Sequence, residues 1–214
     1  MSNIHRDKEA PTSLRERNKA KKCLAIFNAT RELLISEGYD KTTMDAIAVR
    51  AEVGVATVYK YFGTKDGLVM ELASGDIEEM LAQVDKIVAD PPEDLVDAVI
   101  AALSPPFNLK MARSDSSVVR YLMDEMWHGQ EGDRRKKTRL ALAEFETKIE
   151  TLLVRFQLQG LLQKSLDAKT AARIIYTMLD YNYICFARGE IVTVEAMEEL
   201  TSKQVRVLVD GWST

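Results

Sequence analysis

The chain has 214 residues, of which 46% are hydrophobic and 29% charged, and carries a formal net charge of −4. That balance suits a folded globular protein, and the absence of any run of about 18 apolar residues excludes a transmembrane helix and a membrane partner. No apolar secretory signal opens the sequence, and its two cysteines, Cys23 and Cys185, lie far apart in helix-like sequence, so reduced thiols in a cytoplasmic setting are expected.

Charge is unevenly placed. Residues 1–70 hold 12 basic and 9 acidic side chains, while the remainder holds 17 and 24. Arg15, Arg17, Lys19, Lys21 and Lys22 crowd one short stretch. A basic head on an acidic body fits phosphate contact at one end, and fits a solvated arm equally well.

In chain order, residues 1–13 are polar, interrupted by Pro11, and read as a disordered tail. A helix begins near Leu14. Its apolar positions Ile26, Phe27, Thr30, Leu33 and Leu34 form one stripe, and Gly38 closes it. Thr42, followed three residues later by Asp45, marks a second helix running to about Ala51. After Glu52 and Val53, Gly54 suits the N-cap of a third short helix from Val55 to Tyr61, and Thr64 caps a fourth. Small residues Ala48, Ala51 and Ala56 let the short helices approach, with Ile47, Val53 and Val58 as plugs between them. Two short helices across a tight turn make a helix-turn-helix, here spanning about residues 43–62.

Beyond residue 74 the helical pattern continues. Asp90, Pro91 and Pro92 precede a helix that Ser104, Pro105 and Pro106 end; others span about 116–127, 133–159, 168–188 and 194–209. No alternating segment reads as a sheet, so the class is all-α. The domain division is a tail over 1–13, a helix-turn-helix unit over 14–73 and a helical unit over 74–214.

The stretch from Gly38 and Tyr39 through Thr43, Ile47 and Ala48 to Thr57, Val58, Tyr59, Lys60, Tyr61 and Phe62, then Lys65 and Leu68, resembles the DNA-binding segment of the TetR family. The sequence departs from that pattern at the turn, with Glu52 where glycine is common and Gly54 where serine is common. The resemblance implies an N-terminal three-helix DNA-binding domain and a C-terminal helical domain for ligand binding and dimerisation. It implies double-stranded DNA contact, at a palindromic operator, by Thr43, Val55, Ala56, Thr57, Tyr59, Lys60, Tyr61 and Lys65, while Phe62 belongs to the core. Hydroxyls and Lys65 would meet phosphate, Lys60 a guanine edge, and the methyls of Val55 and Ala56 a thymine methyl.

Aromatic and methionine residues of the second unit suit either an adaptable apolar pocket or an ordinary core. In the resemblance the effector lies between the central helices, which implies a ligand site at Phe107, Met111, Tyr121, Met126, Trp127, Phe156 and Tyr176. Ala171, Ile174, Ile175, Met178, Leu179 and Ile184, with Met197, Leu200, Val205, Leu208 and Val209, make the last two helices a bundle interface for a homodimer, or pack within one chain.

Glu125 and His128 make a Glu-x-x-His pair, the element of a di-iron bundle. The only other histidine is His5 in the tail, so no second pair exists. No nucleophilic triad, phosphate loop or zinc spacing is present, and neither catalysis, metal nor cofactor is expected. The sequence thus points to an effector-released repressor. The alternatives are a helical-bundle enzyme or small-molecule carrier with a vestigial DNA-binding motif, or a constitutive DNA-binder without effector.

Overall fold

The computed structural model describes residues 13–107, 116–128 and 133–214, with the side chains of residues 107, 126–128 and 133–135 outside the description. Among these residues it holds nine helices and no strand beyond an isolated bridge between Leu162 and Ser213. They are α1 (Leu14–Lys41), α2 (Met44–Arg50), α3 (Val55–Phe62), α4 (Lys65–Ala89), α5 (Leu95–Phe107), α6 (Ser116–His128), α7 (Asp133–Leu158), α8 (Ala168–Ala187) and α9 (Val194–Trp212).

α1 starts at a capping box, in which the Glu16 N–H donates to Ser13 Oγ and the Ser13 N–H donates to Glu16 Oε2. Its apolar stripe is real: Ile26, Ala29, Thr30, Leu33 and Leu34 are buried. Gly38 breaks the helix at φ 78°, a conformation a side chain resists. The break sends Thr42 inward, where its hydroxyl donates to the Gly38 carbonyl at 2.7 Å. Thr42 therefore does not cap α2, as its spacing to Asp45 suggested. Thr43 does, accepting from the Ala46 N–H at 3.2 Å.

The turn between α2 and α3 is a Schellman motif, closed by Glu52 N–H to Val49 O and Val53 N–H to Ala48 O. Glu52 sits at φ 54°, the one non-glycine with positive φ among the described residues. Replacing it with glycine removes a left-handed strain of about 1 kcal/mol, partly offset by the freer unfolded chain. Chemical denaturation of Glu52→Gly is expected to show a gain of a few tenths to about 1 kcal/mol. Gly54 caps α3 without a side-chain bond, and Thr64 caps α4 by accepting from the Gly67 N–H at 3.0 Å.

α5 continues through Pro105 and Pro106 to Phe107 rather than stopping at Ser104. Each of the two prolines removes a backbone donor from the last turn, and the helix ends one residue after them. The helices predicted over 133–159, 168–188 and 194–209 are present as α7, α8 and α9, the last extending to Trp212.

Three cores hold the molecule. Ile26, Ala29 and Leu33 of α1 close over Met44, Ile47, Val58, Phe62 and Leu68, with Phe27 and Phe62 rings 5.2 Å apart. A large core joins α4, α5, α7, α8 and α9 around Phe145, Ile149, Leu152, Phe156 and Ile175. Between them Leu34, Val69, Leu72 and Val118 form a small junction core from α1, α4 and α6. α4 is one unbroken helix that contributes to all three, so the division expected after residue 73 falls inside it.

Candidate nucleic-acid interface and effector cavity

α3 buries Val58 and Phe62 against α1 and α2, which turns its opposite face to solvent. On that face Val55, Ala56, Tyr59 and Lys60 are exposed, while Thr57 and Tyr61 are half-buried beside them. Tyr61 leans edge-on to Phe62, with ring centroids 6.3 Å apart. Thr43 is exposed at the α2 N-terminus, its Oγ1 already occupied by the Ala46 N–H.

A cleft of about 730 Å³ runs between α3 and the start of α1, lined by Leu14, Arg15, Asn18, Lys19, Lys22, Lys60 and Tyr61. Four cations on one groove make a phosphate-attracting surface continuous with the α3 face. Arg15, Lys19 and Lys22 were visible in the sequence as a basic run, but nothing local in it places them beside Lys60.

Lys65 is committed within the protein. Its Nζ donates to the Tyr39 carbonyl at 2.9 Å and sits 4.0 Å from the Tyr39 ring centroid. The phosphate contact expected of it would have to share that ammonium. Around Tyr39 several elements meet: its N–H donates to Ser117 Oγ at 3.0 Å, its hydroxyl donates to Asp66, and its ring stacks on Tyr121 at 4.0 Å. This corner ties the end of α1 to α4 and α6.

A second cavity, of about 410 Å³, lies among α4, α5, α6, α7 and α8. Its walls are mostly apolar, from Met70, Ile77, Met80, Leu122, Met123, Phe145, Leu179 and Tyr183. Tyr176 lines it, with its phenol pushed up to about 12 by burial and by Asp180 and Glu146 nearby. Polar groups on the same walls include Asp76, Thr138, Arg139, Glu146, Arg173 and Asp180. Asp76 also faces the helix-turn-helix unit, where its Oδ1 accepts from Arg31 Nη2 of α1 at 2.5 Å.

Residues 26–72 match the family model for bacterial regulatory proteins of the tetR family. Over 47 residues the chain is 43% identical to YdeS, an uncharacterized HTH-type transcriptional regulator of Bacillus subtilis, covering 22% of this chain and 24% of that protein. It is 35% identical over 61 residues to the HTH-type transcriptional repressor KstR of Mycolicibacterium smegmatis, or 28% of this chain and 30% of the relative. The matched stretch is thus under a third of either curated relative. The whole fold is similar to the transcriptional regulator FadR of Bacillus subtilis, solved with stearoyl-CoA, at a TM-score of 0.67 and 18% identity, covering 88% of this chain and 98% of that one.

Residues 26–72 are thus similar to the DNA-binding segment of tetR-family regulators, and the chain as a whole shares the fold of FadR.

Of the residues expected at the cavity, some are there and some are not. Tyr176 is at the cavity. Tyr121 is not: it belongs to the junction, stacked on Tyr39. Phe156 is not either, being 2% exposed inside the large core. Both carry the helical spacing of a pocket wall, but the faces they occupy are taken by other helices. Met111 and the side chains of Phe107, Met126 and Trp127 lie outside the described residues, as does that of His128. Asp76, Phe145 and Asp180 were not foreseen at the cavity.

Proposed function

We propose that this chain is a homodimeric, cytoplasmic transcriptional repressor of the TetR family that α3 holds on a palindromic operator and that a small, largely apolar effector releases. The observation that carries this reading is the outer face of α3, with Val55, Ala56, Tyr59 and Lys60 exposed beside a cleft lined by Arg15, Lys19 and Lys22. Lys60 reads a base edge, the two methyl-bearing residues meet thymine, and the Thr43, Thr57, Tyr59 and Tyr61 hydroxyls address phosphates.

Fluorescence anisotropy on the duplex flanking the chain's own gene tests this. Tyr59→Ala is expected to weaken binding to all sequences alike. Lys60→Ala is expected to change sequence preference by about 1–3 kcal/mol at the position it reads. Unchanged preference would remove Lys60 from the base-reading set.

Dimerisation is supported by a division of apolar residues on α8 and α9. Ala171, Ile175, Leu179, Met197, Val205 and Val209 are buried within the chain, while Ile174, Tyr181, Leu200 and Val207 remain exposed. An exposed apolar face of this kind on two adjacent helices suits a four-helix bundle across a two-fold axis. Leu200→Glu with Val207→Glu is expected to give a monomer by analytical ultracentrifugation and to abolish tight binding to a two-half-site duplex, because recognition helices must sit roughly 34–36 Å apart.

The effector part of the reading rests on the cavity and its position. FadR of Bacillus subtilis was solved with stearoyl-CoA, and in the same fold this chain has a largely apolar cavity between α4 and the C-terminal helices. A ligand there bears on α4, which continues without a break into the helix-turn-helix core.

A further inference from the structure

The deepest polar group of the cavity is only half satisfied. Asp76 is 4% exposed, and while its Oδ1 holds Arg31, its Oδ2 has no hydrogen-bond partner among the described residues. Arg31 Nε is likewise buried without one, so the pair makes one contact where a guanidinium and a carboxylate can make two. A lone carboxylate oxygen kept from water calls for a donor. Asp180 is a second acid on the same cavity, its carboxyl pushed up from the usual range by burial. The remaining acid there, Glu146, already holds Arg173 at 2.9 Å.

On the reading of this cavity as the effector site, we propose that its ligand is an apolar molecule bearing a protonated amine, and that the amine bonds Asp76 in place of Arg31. The apolar walls take the body of the ligand, and the unmatched Asp76 oxygen favours a cationic donor over an anion of the same shape. Of the two lining cations, Arg173 is held by Glu146 and Arg139 has an interaction of its own. Loss of Asp76 strands the Arg31 guanidinium, whose side chain is 22% exposed. It regains hydration only by turning outward, which shifts α1 against α4. Ala29 and Leu33 of α1 pack directly on α2 and α3, so the recognition helix moves with it.

Octylammonium, octanol and octanoate, alike in body and different in head, are titrated calorimetrically into the full chain below their micellar range. Octylammonium is expected to bind about tenfold or more tightly than octanoate, and Asp76→Asn to erase the difference. Arg31→Gln, which frees Asp76 of its competitor, is expected to tighten octylammonium. The paired variant Arg31→Gln with Asp76→Asn leaves no charge unmatched, so it separates loss of amine binding from loss of fold. In the duplex assay octylammonium lowers the affinity of the native chain and leaves that of Asp76→Asn unchanged. Equal or tighter octanoate binding, a preference that survives Asp76→Asn, or no binding of any probe overturns the proposal. Duplex affinity measured without probes then still stands or falls separately, and reports on the repressor reading itself.

Discussion

Replacing Arg15, Lys19 and Lys22 together with glutamine is expected to lower affinity for every duplex by about 3 kcal/mol, roughly a hundredfold, at moderate salt. Each exposed ion pair with a phosphate contributes up to about 1 kcal/mol. All three side chains are exposed on the α1 side of the basic cleft, and none belongs to a hydrophobic core, so the fold should be unaffected. A more specific signature is the salt dependence. Each phosphate neutralised contributes close to one unit to the slope of log K against log salt, so the triple variant should lose about 2.7 units of slope. Sequence preference should be unchanged, because phosphate contacts carry no base information. Lys60→Ala should do the reverse, altering preference while removing at most about one unit of slope. The two variants therefore separate the groups that hold the duplex from the group that reads it.

Asp76→Ala is expected to destabilise the fold by about 3 kcal/mol in chemical denaturation. Removing one member of a buried pair leaves the other charge unpaired, which costs about 3–5 kcal/mol. The lower end applies because Arg31 keeps 22% of its side chain in water. Arg31→Met with Asp76→Val is expected to recover most of that loss, since an apolar pair removes both desolvated charges and the two unmatched atoms, Asp76 Oδ2 and Arg31 Nε. What the apolar pair should not recover is coupling. If the Arg31–Asp76 bridge transmits the effector, the double variant binds duplex and no longer responds to a ligand in the cavity. A double variant that stays as unstable as Asp76→Ala would show that the bridge is not the source of the loss.

The helix-turn-helix was legible because its instructions are local. Gly38 at positive φ, Gly54 and Thr64 at caps, and Ile47 and Val58 in the small core all lie where their type and spacing put them. The slip by one threonine at the α2 cap has a tertiary cause. The spacing to Asp45 favours Thr42, but the exit of the chain after Gly38 turns that hydroxyl inward and leaves the cap to Thr43. The cavity was far less legible. An aromatic at helical spacing looks the same whether it meets a void, as Tyr176 does, another helix at a junction, as Tyr121 does, or a filled core, as Phe156 does. The Arg31–Asp76 bridge joins residues 45 apart, and no periodicity announces such a pair. Likewise the cations near residue 20 acquire their meaning only when the fold of α1 over α3 sets them beside Lys60.

Repression of this kind requires the outer face of α3 to enter a duplex groove as one half of a symmetric pair. Titration of the full chain against the duplex flanking its own gene, by anisotropy across a series of salt concentrations with mass measured in parallel, tests this most directly. Saturable binding by a dimer, steeply weakened by salt and shifted in sequence preference by Lys60→Ala, is the predicted result. A monomer with no salt-sensitive affinity for any duplex would contradict it.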